Sequence, residues 1–343
     1  MSQMNLAARL RNETVFILGA GASVPYNYPT GTELVRQIVK GKLPAKSALK
    51  GHKDFDDFRA NLAGAKARSV DIFLSRDKHR RFEAVGKLAI AEQLILCEHH
   101  DKIFAPQIED DWYEYVFNTV LEHTTDLIEV ANIPLAFITF NYDRSLEHFL
   151  YTFLRSNFPN NTTNEVIAVI DKINIIHVYG CLGPLEWQDP SGRPYSSLIS
   201  KAIVKEAANN ILIMHEGTRD SDAFKFARAL LEVADNIMFL GFGYHSANME
   251  RLAVPFNRLG GHAGNSGITP IRQIWGIAYG MTDEEAIHTA NRFHRPWALR
   301  GCQKTGNDNR LTAARDLRPA MTGPCPFHKE NCHGGRLYAG GVF

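Results

Sequence analysis

The sequence of 343 residues predicts an α/β protein with a doubly wound, mostly parallel, Rossmann-like sheet. Three observations carry this. Short apolar runs alternate with stretches of helical spacing. The first run ends in a turn almost without side chains. A long helical stretch, about 54–130, interrupts the alternation after the first strand and helix.

The first run is Thr14 to Leu18, read as a buried strand. Gly19-Ala20-Gly21-Ala22-Ser23 follows, then Pro29-Thr30-Gly31 and a helical stretch from Thr32 to Val39. Glycine admits positive φ and close backbone approach, and the amides of such a turn suit an anionic phosphate. The same letters also fit a tight turn that binds nothing. Lys40 to Lys53 is polar and basic, broken by Gly41, Pro44 and Gly51, and reads as a loop.

The insertion contains 69–76, 81–100 and 110–132, each with apolar residues three and four apart. Its aromatics Trp112, Tyr113, Tyr115 and Phe117 are expected in the core or at a subunit interface. Strand-like runs resume at 133–140, 173–180, 210–216, 236–243 and 271–280. Helices are expected at Ser145–Arg155, Asp222–Ala234, Ala247–Leu259 and Asp283–Phe293, the last with Thr282 and Glu285 as a capping box. One domain over 1–296 is expected, and a Gly-, Pro- and Arg/Lys-containing tail over 297–343 is expected to be loosely ordered.

The net charge of +1 makes no general case for nucleic acid, although residues 300–343 carry seven Lys/Arg against three Asp/Glu. No apolar run has the roughly 20 residues of a membrane span, and no signal-peptide core precedes the first strand. Five scattered cysteines argue for a reducing cytoplasm. Cys325, His328, Cys332 and His333 form the only metal-like cluster, at a spacing that fits structural zinc poorly, and no metal is expected.

Three later segments carry candidate chemistry. Asn141 and Asp143 follow a strand, where ligands of open α/β sheets bind, although Asn-x-Asp there also suits a helix cap. His177 and Tyr179 sit two apart, on one side of a strand; His177 reads either as a satisfied core histidine or as a general base. Gly241 and Gly243 follow another strand, with Asn248 in the helix beyond, suited to a nucleotide's sugar or base.

In this order, GAGAS, T-x-N-x-D, a strand histidine before glycine, and strand-G-x-G, the chain over about 14–290 resembles the SIR2-like family. The likeness is to the bacterial NAD-hydrolysing branch of antiphage defence, most of all the stand-alone SIR2 subunit paired with a HerA-type ATPase. The resemblance implies NAD+ as substrate and cleavage of its nicotinamide–ribose bond. It gives Asn141 the positioning of water or ribose, Asp143 a hold on ribose or nicotinamide amide, and His177 the role of base. Gly19 to Ser23, Thr30, Tyr179, Gly241, Gly243 and Asn248 are implied to bind the dinucleotide. It also implies a homo-oligomer docked on the ATPase, with nucleic acid reached only through that partner.

Phe140 stands where protein-deacetylating sirtuins have glutamine, and Tyr179 where their catalytic histidine directly precedes glycine. Their two CxxC pairs are absent, which counts against a protein deacylase or ADP-ribosyltransferase. The residues also admit a module that senses NAD or ADP-ribose without turnover, or a DNA-associated factor.

Overall fold

The computed structural model describes residues 6, 10–254 and 273–276. Its centre is a five-stranded, all-parallel sheet flanked by helices, with β1 (Thr14–Leu18) in the middle. The order is β3-β2-β1-β4-β5, with β2 at Leu135–Thr139, β3 at Asn174–His177, β4 at Asn236–Leu240 and β5 at Gln273–Gly276. The three inner strands are buried at every residue, which is why they read as unbroken apolar runs rather than alternating ones. The chain winds outward from β1 on both sides, so its strand order reverses there and a crevice opens at the carboxyl ends.

The helix α1 (Gly31–Lys40) follows β1, with Thr30 as its N-cap: the Thr30 hydroxyl accepts from the Glu33 amide at 3.3 Å. The insertion then supplies α2 (Phe55–Gly64), α3 (Val70–Leu74), a 3-10 turn at Asp77–Phe82, α4 (Glu83–Ile95), α5 (His100–Ile103), α6 (Trp112–Leu121) and α7 (Leu127–Ala131). The long expected stretches are therefore broken into shorter helices. Asp111 and Asp126 start α6 and α7 by accepting from the amides of Glu114 and Glu129. Between α1 and α2, the 41–53 connection is anchored inward by the fully buried Glu92, which accepts from Ser47 Oγ and Ala48 N, both at 2.7 Å.

Beyond β2 come α8 (Ser145–Asn157), α9 (Thr163–Ile170), α10 (Lys201–Asn209), α11 (Asp222–Val233) and α12 (Ser246–Leu252). The expected strand at 210–216 does not form. Ile211 makes one isolated antiparallel bridge to Gly180, and Glu216 accepts from the Ile213 amide at 2.6 Å, closing the segment into turns. Its apolar signal reports burial of Ile211 and Ile213 rather than sheet membership. The helix expected from Ala247 ends early, with Ala253 in the left-handed region at φ 46°. The expected helix at 283–293, the tail and the Cys325–His333 cluster lie outside the described residues.

Trp112, Tyr113 and Phe117 are core residues, and Tyr115 packs partly buried against them. No helix among the described residues is long and apolar enough to cross a membrane.

Candidate active site

Parallel register sets four strand ends level: Leu18 faces Thr139 and Leu240, and Thr139 faces His177. The residues that follow these ends enclose a cavity of about 240 Å³. Gly19, Ala20 and Ser23 line it from β1, Asn141 and Asp143 from β2, Tyr179 from β3, and Gly243, His245 and Asn248 from β4. The insertion closes it with Ser69, Asp71 and Ile72 around α3.

The glycines of the first turn serve the protein before they serve a ligand. Gly19 N donates to Leu240 O and Gly21 N to Gly241 O, both at 3.0 Å, and Ala22 N donates to Gly19 O at 2.9 Å. Three of the five amides expected to hold phosphate are thus engaged within the protein. A Cβ on Gly19 would lie 2.5 Å from Gly241 O, and one on Gly21 2.8 Å from Gly241 Cα. Two βα turns pack backbone to backbone, which explains the small residues at both. Gly21, Ala22 and Gly241 consequently sit outside the cavity lining, as does the helix cap Thr30. Gly241 has φ +56°, and a methyl there would meet Ala22 N at 2.0 Å. Gly241→Ala is expected to cost at least about 1–3 kcal/mol, while Gly243→Ala, with no atom within 4 Å of its Cβ, should leave the urea midpoint nearly unchanged.

The aromatic start of α6 pins the same turn from the other side. Trp112 Nε1 donates to Ala22 O at 2.8 Å, and Tyr26 stacks on Tyr113 at 3.9 Å. The Tyr26 hydroxyl donates to Asp111 at 2.9 Å and accepts from Tyr113 N at 2.8 Å.

Asn141 reaches back onto the turn. Its Nδ2 donates to Gly19 O at 2.9 Å and to Ser23 Oγ at 3.0 Å, leaving Oδ1 unclaimed by any described residue. Asp143 has both oxygens occupied: Ser23 Oγ donates to Oδ2 at 2.7 Å, while the Ser145 amide, at 3.1 Å, and hydroxyl donate to Oδ1. Burial raises the pKa of its carboxyl against these bonds. Asp143, expected to hold ribose or nicotinamide, thus has both carboxylate oxygens engaged by Ser23 and Ser145. It borders the cavity but acts as a cap and brace, positioning Ser23 and the start of α8.

His177 does not line the cavity. Nε2 lies 2.6 Å from Glu147 Oε1, and Nδ1 lies 2.8 Å from the Asn141 carbonyl, so both ring nitrogens are engaged. Burial alone would lower its pKa, but the Glu147 carboxylate outweighs it and raises the value to about 10. The structure therefore places His177, expected as general base, beside the cavity lining, where it holds the Asn141 backbone. Glu147 is held below the usual carboxylate range, because the His177 charge and hydrogen bond overcome its own burial.

The pair gives a signed prediction. The raised folded pKa of His177 contributes stability that is full below about 6.5, and this is lost as pH rises toward about 10. The depressed Glu147 contributes above its unfolded pKa and loses this as pH falls. The urea midpoint should fall between pH 7 and 10 more steeply in the wild type than in Glu147→Gln; equal slopes would show that the pair contributes nothing.

Tyr179 projects to the cavity, where its hydroxyl donates to Asn248 Oδ1 at 2.8 Å and accepts from Arg251 Nη1. Asp71 was not singled out by sequence. Its Oδ1 lies 2.5 Å from the Tyr142 hydroxyl, which is also 2.9 Å from Leu212 O. Burial raises the pKa of Asp71. The SVDIFL segment read only as helix, and no local spacing ties residue 71 to strand ends about fifty or more residues away. Among the described residues no three His, Cys, Asp or Glu side chains are grouped to hold a metal.

Compared with known proteins, the chain matches no protein-family model and no curated protein.

Proposed function

We propose that the chain is an NAD+ glycohydrolase, cleaving the nicotinamide–ribose bond to give nicotinamide and ADP-ribose. The observation that carries this reading is Asn141. Its amide nitrogen is tied to the first turn, and its carboxamide oxygen remains free at a strand-end cavity that also holds the Asp71 carboxyl. Nicotinamide leaves the ribose as a neutral molecule, so departure needs no acid. What the reaction needs is stabilisation of an oxocarbenium-like ribose and a positioned water.

In this reading Asn141 Oδ1 orients the water or a ribose hydroxyl. Asp71 supplies negative charge beside the ribose and, with its raised pKa, accepts the water's proton. Tyr179 and Asn248 contact the dinucleotide, while Ala20, Ser23 and Gly243 border its phosphates. His177 acts through Asn141. The SIR2-like resemblance adds a cytoplasmic homo-oligomer working beside a HerA-type ATPase in antiphage defence. NAD+ incubated without acyl-peptide tests the reading against a deacylase: nicotinamide release is expected, and release only on adding the peptide would contradict it.

The engagement of both His177 nitrogens favours one second reading, an NAD- or ADP-ribose-sensing module. Its signature is saturable NAD+ binding with no nicotinamide formed.

A further inference from the structure

Charge is concentrated in one part of the molecule, residues 36–81, whose basic side chains the proposed function does not use. Residues 36–81 contain thirteen Lys/Arg against five Asp/Glu, a net +8 in a chain of net +1. These residues form one packed body. Arg59 on α2 donates to Val39 O at the end of α1, Arg81 on the 3-10 turn donates to Asp57 on α2 at 2.9 Å, and Thr32 donates to Arg68 O. The helices α1, α2, α3 and α4 and the 3-10 turn pack on one another.

Lys40 at the end of α1 and Lys42, Lys46, Lys50 and Lys53 in the connection to α2 are exposed and without an ion pair among the described residues. Four more cations, from Lys66 through Arg68 and Arg76 to Lys78, are likewise exposed and unpaired. Surface pairs neutralise only Arg36, Arg80 and Arg81.

The neighbouring surface indicates what such charge faces. Every Phe of residues 36–81 is buried, and the segment contains no Tyr or Trp. The exposed large apolar residues of the described chain, such as Ile128, Leu198 and Phe226, all lie elsewhere. Protein interfaces are anchored by apolar or aromatic side chains, membrane-inserting surfaces carry apolar side chains beside their charge, and single strands are held by aromatic faces stacked on bases. A dense set of exposed lysines with none of these matches the phosphates of a duplex, which are contacted without base readout.

We propose that the basic body at residues 36–81 is a direct, sequence-independent docking surface for duplex nucleic acid. This differs from the expectation that nucleic acid is reached only through a partner, and it does not depend on NAD+ turnover. The same body lines the cavity through Asp71 and Ile72 of α3, and α1 borders it through Gly31 and Leu34 just before the basic segment, so a docked duplex would rest on elements that border it.

The test is fluorescence anisotropy of the full chain with a labelled 20-base-pair duplex across a salt series. Binding is expected, with log K falling against log salt at a slope of about −4 or steeper. The variant Lys46→Gln/Lys50→Gln/Lys53→Gln should weaken binding at least about tenfold and flatten the slope by about three. Arg76→Gln/Lys78→Gln, on a separate element, should flatten it by about two. Neutralising Lys304, Arg310 and Arg315 to Gln in the tail should leave most of the affinity. Absence of duplex binding, loss with the tail variant while both body variants bind normally, or binding to anionic vesicles but not to duplex would each overturn the proposal.

Discussion

Asn141→Ala is expected to fold and to lose NAD+ turnover by about 10²-fold or more, the scale of effect of misplacing a reacting group. The side chain bridges the first turn through Gly19 O and Ser23 Oγ, so its loss also removes two hydrogen bonds. That costs roughly 1–3 kcal/mol in stability. The two effects separate cleanly, because a stability loss of this size leaves most molecules folded while the chemistry is gone. Circular dichroism and a urea midpoint establish the fold, and nicotinamide release reads the chemistry. If turnover fell only in proportion to the folded fraction, Asn141 would be a brace like Asp143 and nothing more.

The second large effect is structural. The Arg144 side chain is 1% exposed and that of Glu98 wholly buried, and the guanidinium meets both carboxylate oxygens at 2.9 Å. Arg144 also donates to the carbonyls of Pro184, Arg193 and Pro194, tying the 183–196 loop to the insertion and to the end of β2. Arg193 approaches the same carboxylate from the loop side. Removing one partner of a buried pair leaves the other charged and desolvated, so Arg144→Ala should cost about 3–5 kcal/mol. Chemical denaturation measures it. Arg193 still faces Glu98 in Arg144→Ala, so Arg144→Ala/Arg193→Ala, which leaves the buried carboxylate with no cation, should cost more than Arg144→Ala alone; equal costs would show that the loop carbonyls, not the ion pairs, carry it.

The sheet was legible because β1, β2 and β4 are buried on both faces, which leaves unbroken apolar runs in the sequence. The segment at 210–216 misled for the same reason, since burial of Ile211 and Ile213 produces an apolar run without a ladder. In the site, the Asn141–Asp143 motif was visible, but its two readings divide between its two residues: Asp143 caps and braces, and Asn141 faces the cavity. The glycines at 19, 21 and 241 were legible as small but not in purpose, because two turns separated by more than two hundred residues meet only in the fold. His177 on β3 meets its carboxylate partner Glu147 on α8, a pairing its own segment does not reveal. Asp71 comes from the insertion, where amphipathic spacing hides a cavity residue among core residues.

The central claim is that this cavity consumes NAD+ rather than using it as a reusable carrier. The most direct measurement is separation of products after incubating NAD+ with the purified chain, alone and with a HerA-type ATPase, beside the Asn141→Ala variant. The account predicts nicotinamide and an ADP-ribose product appearing in step with NAD+ loss for the wild type, and neither for the variant. Intact NAD+ in both wild-type samples, or equal cleavage by Asn141→Ala, would contradict it.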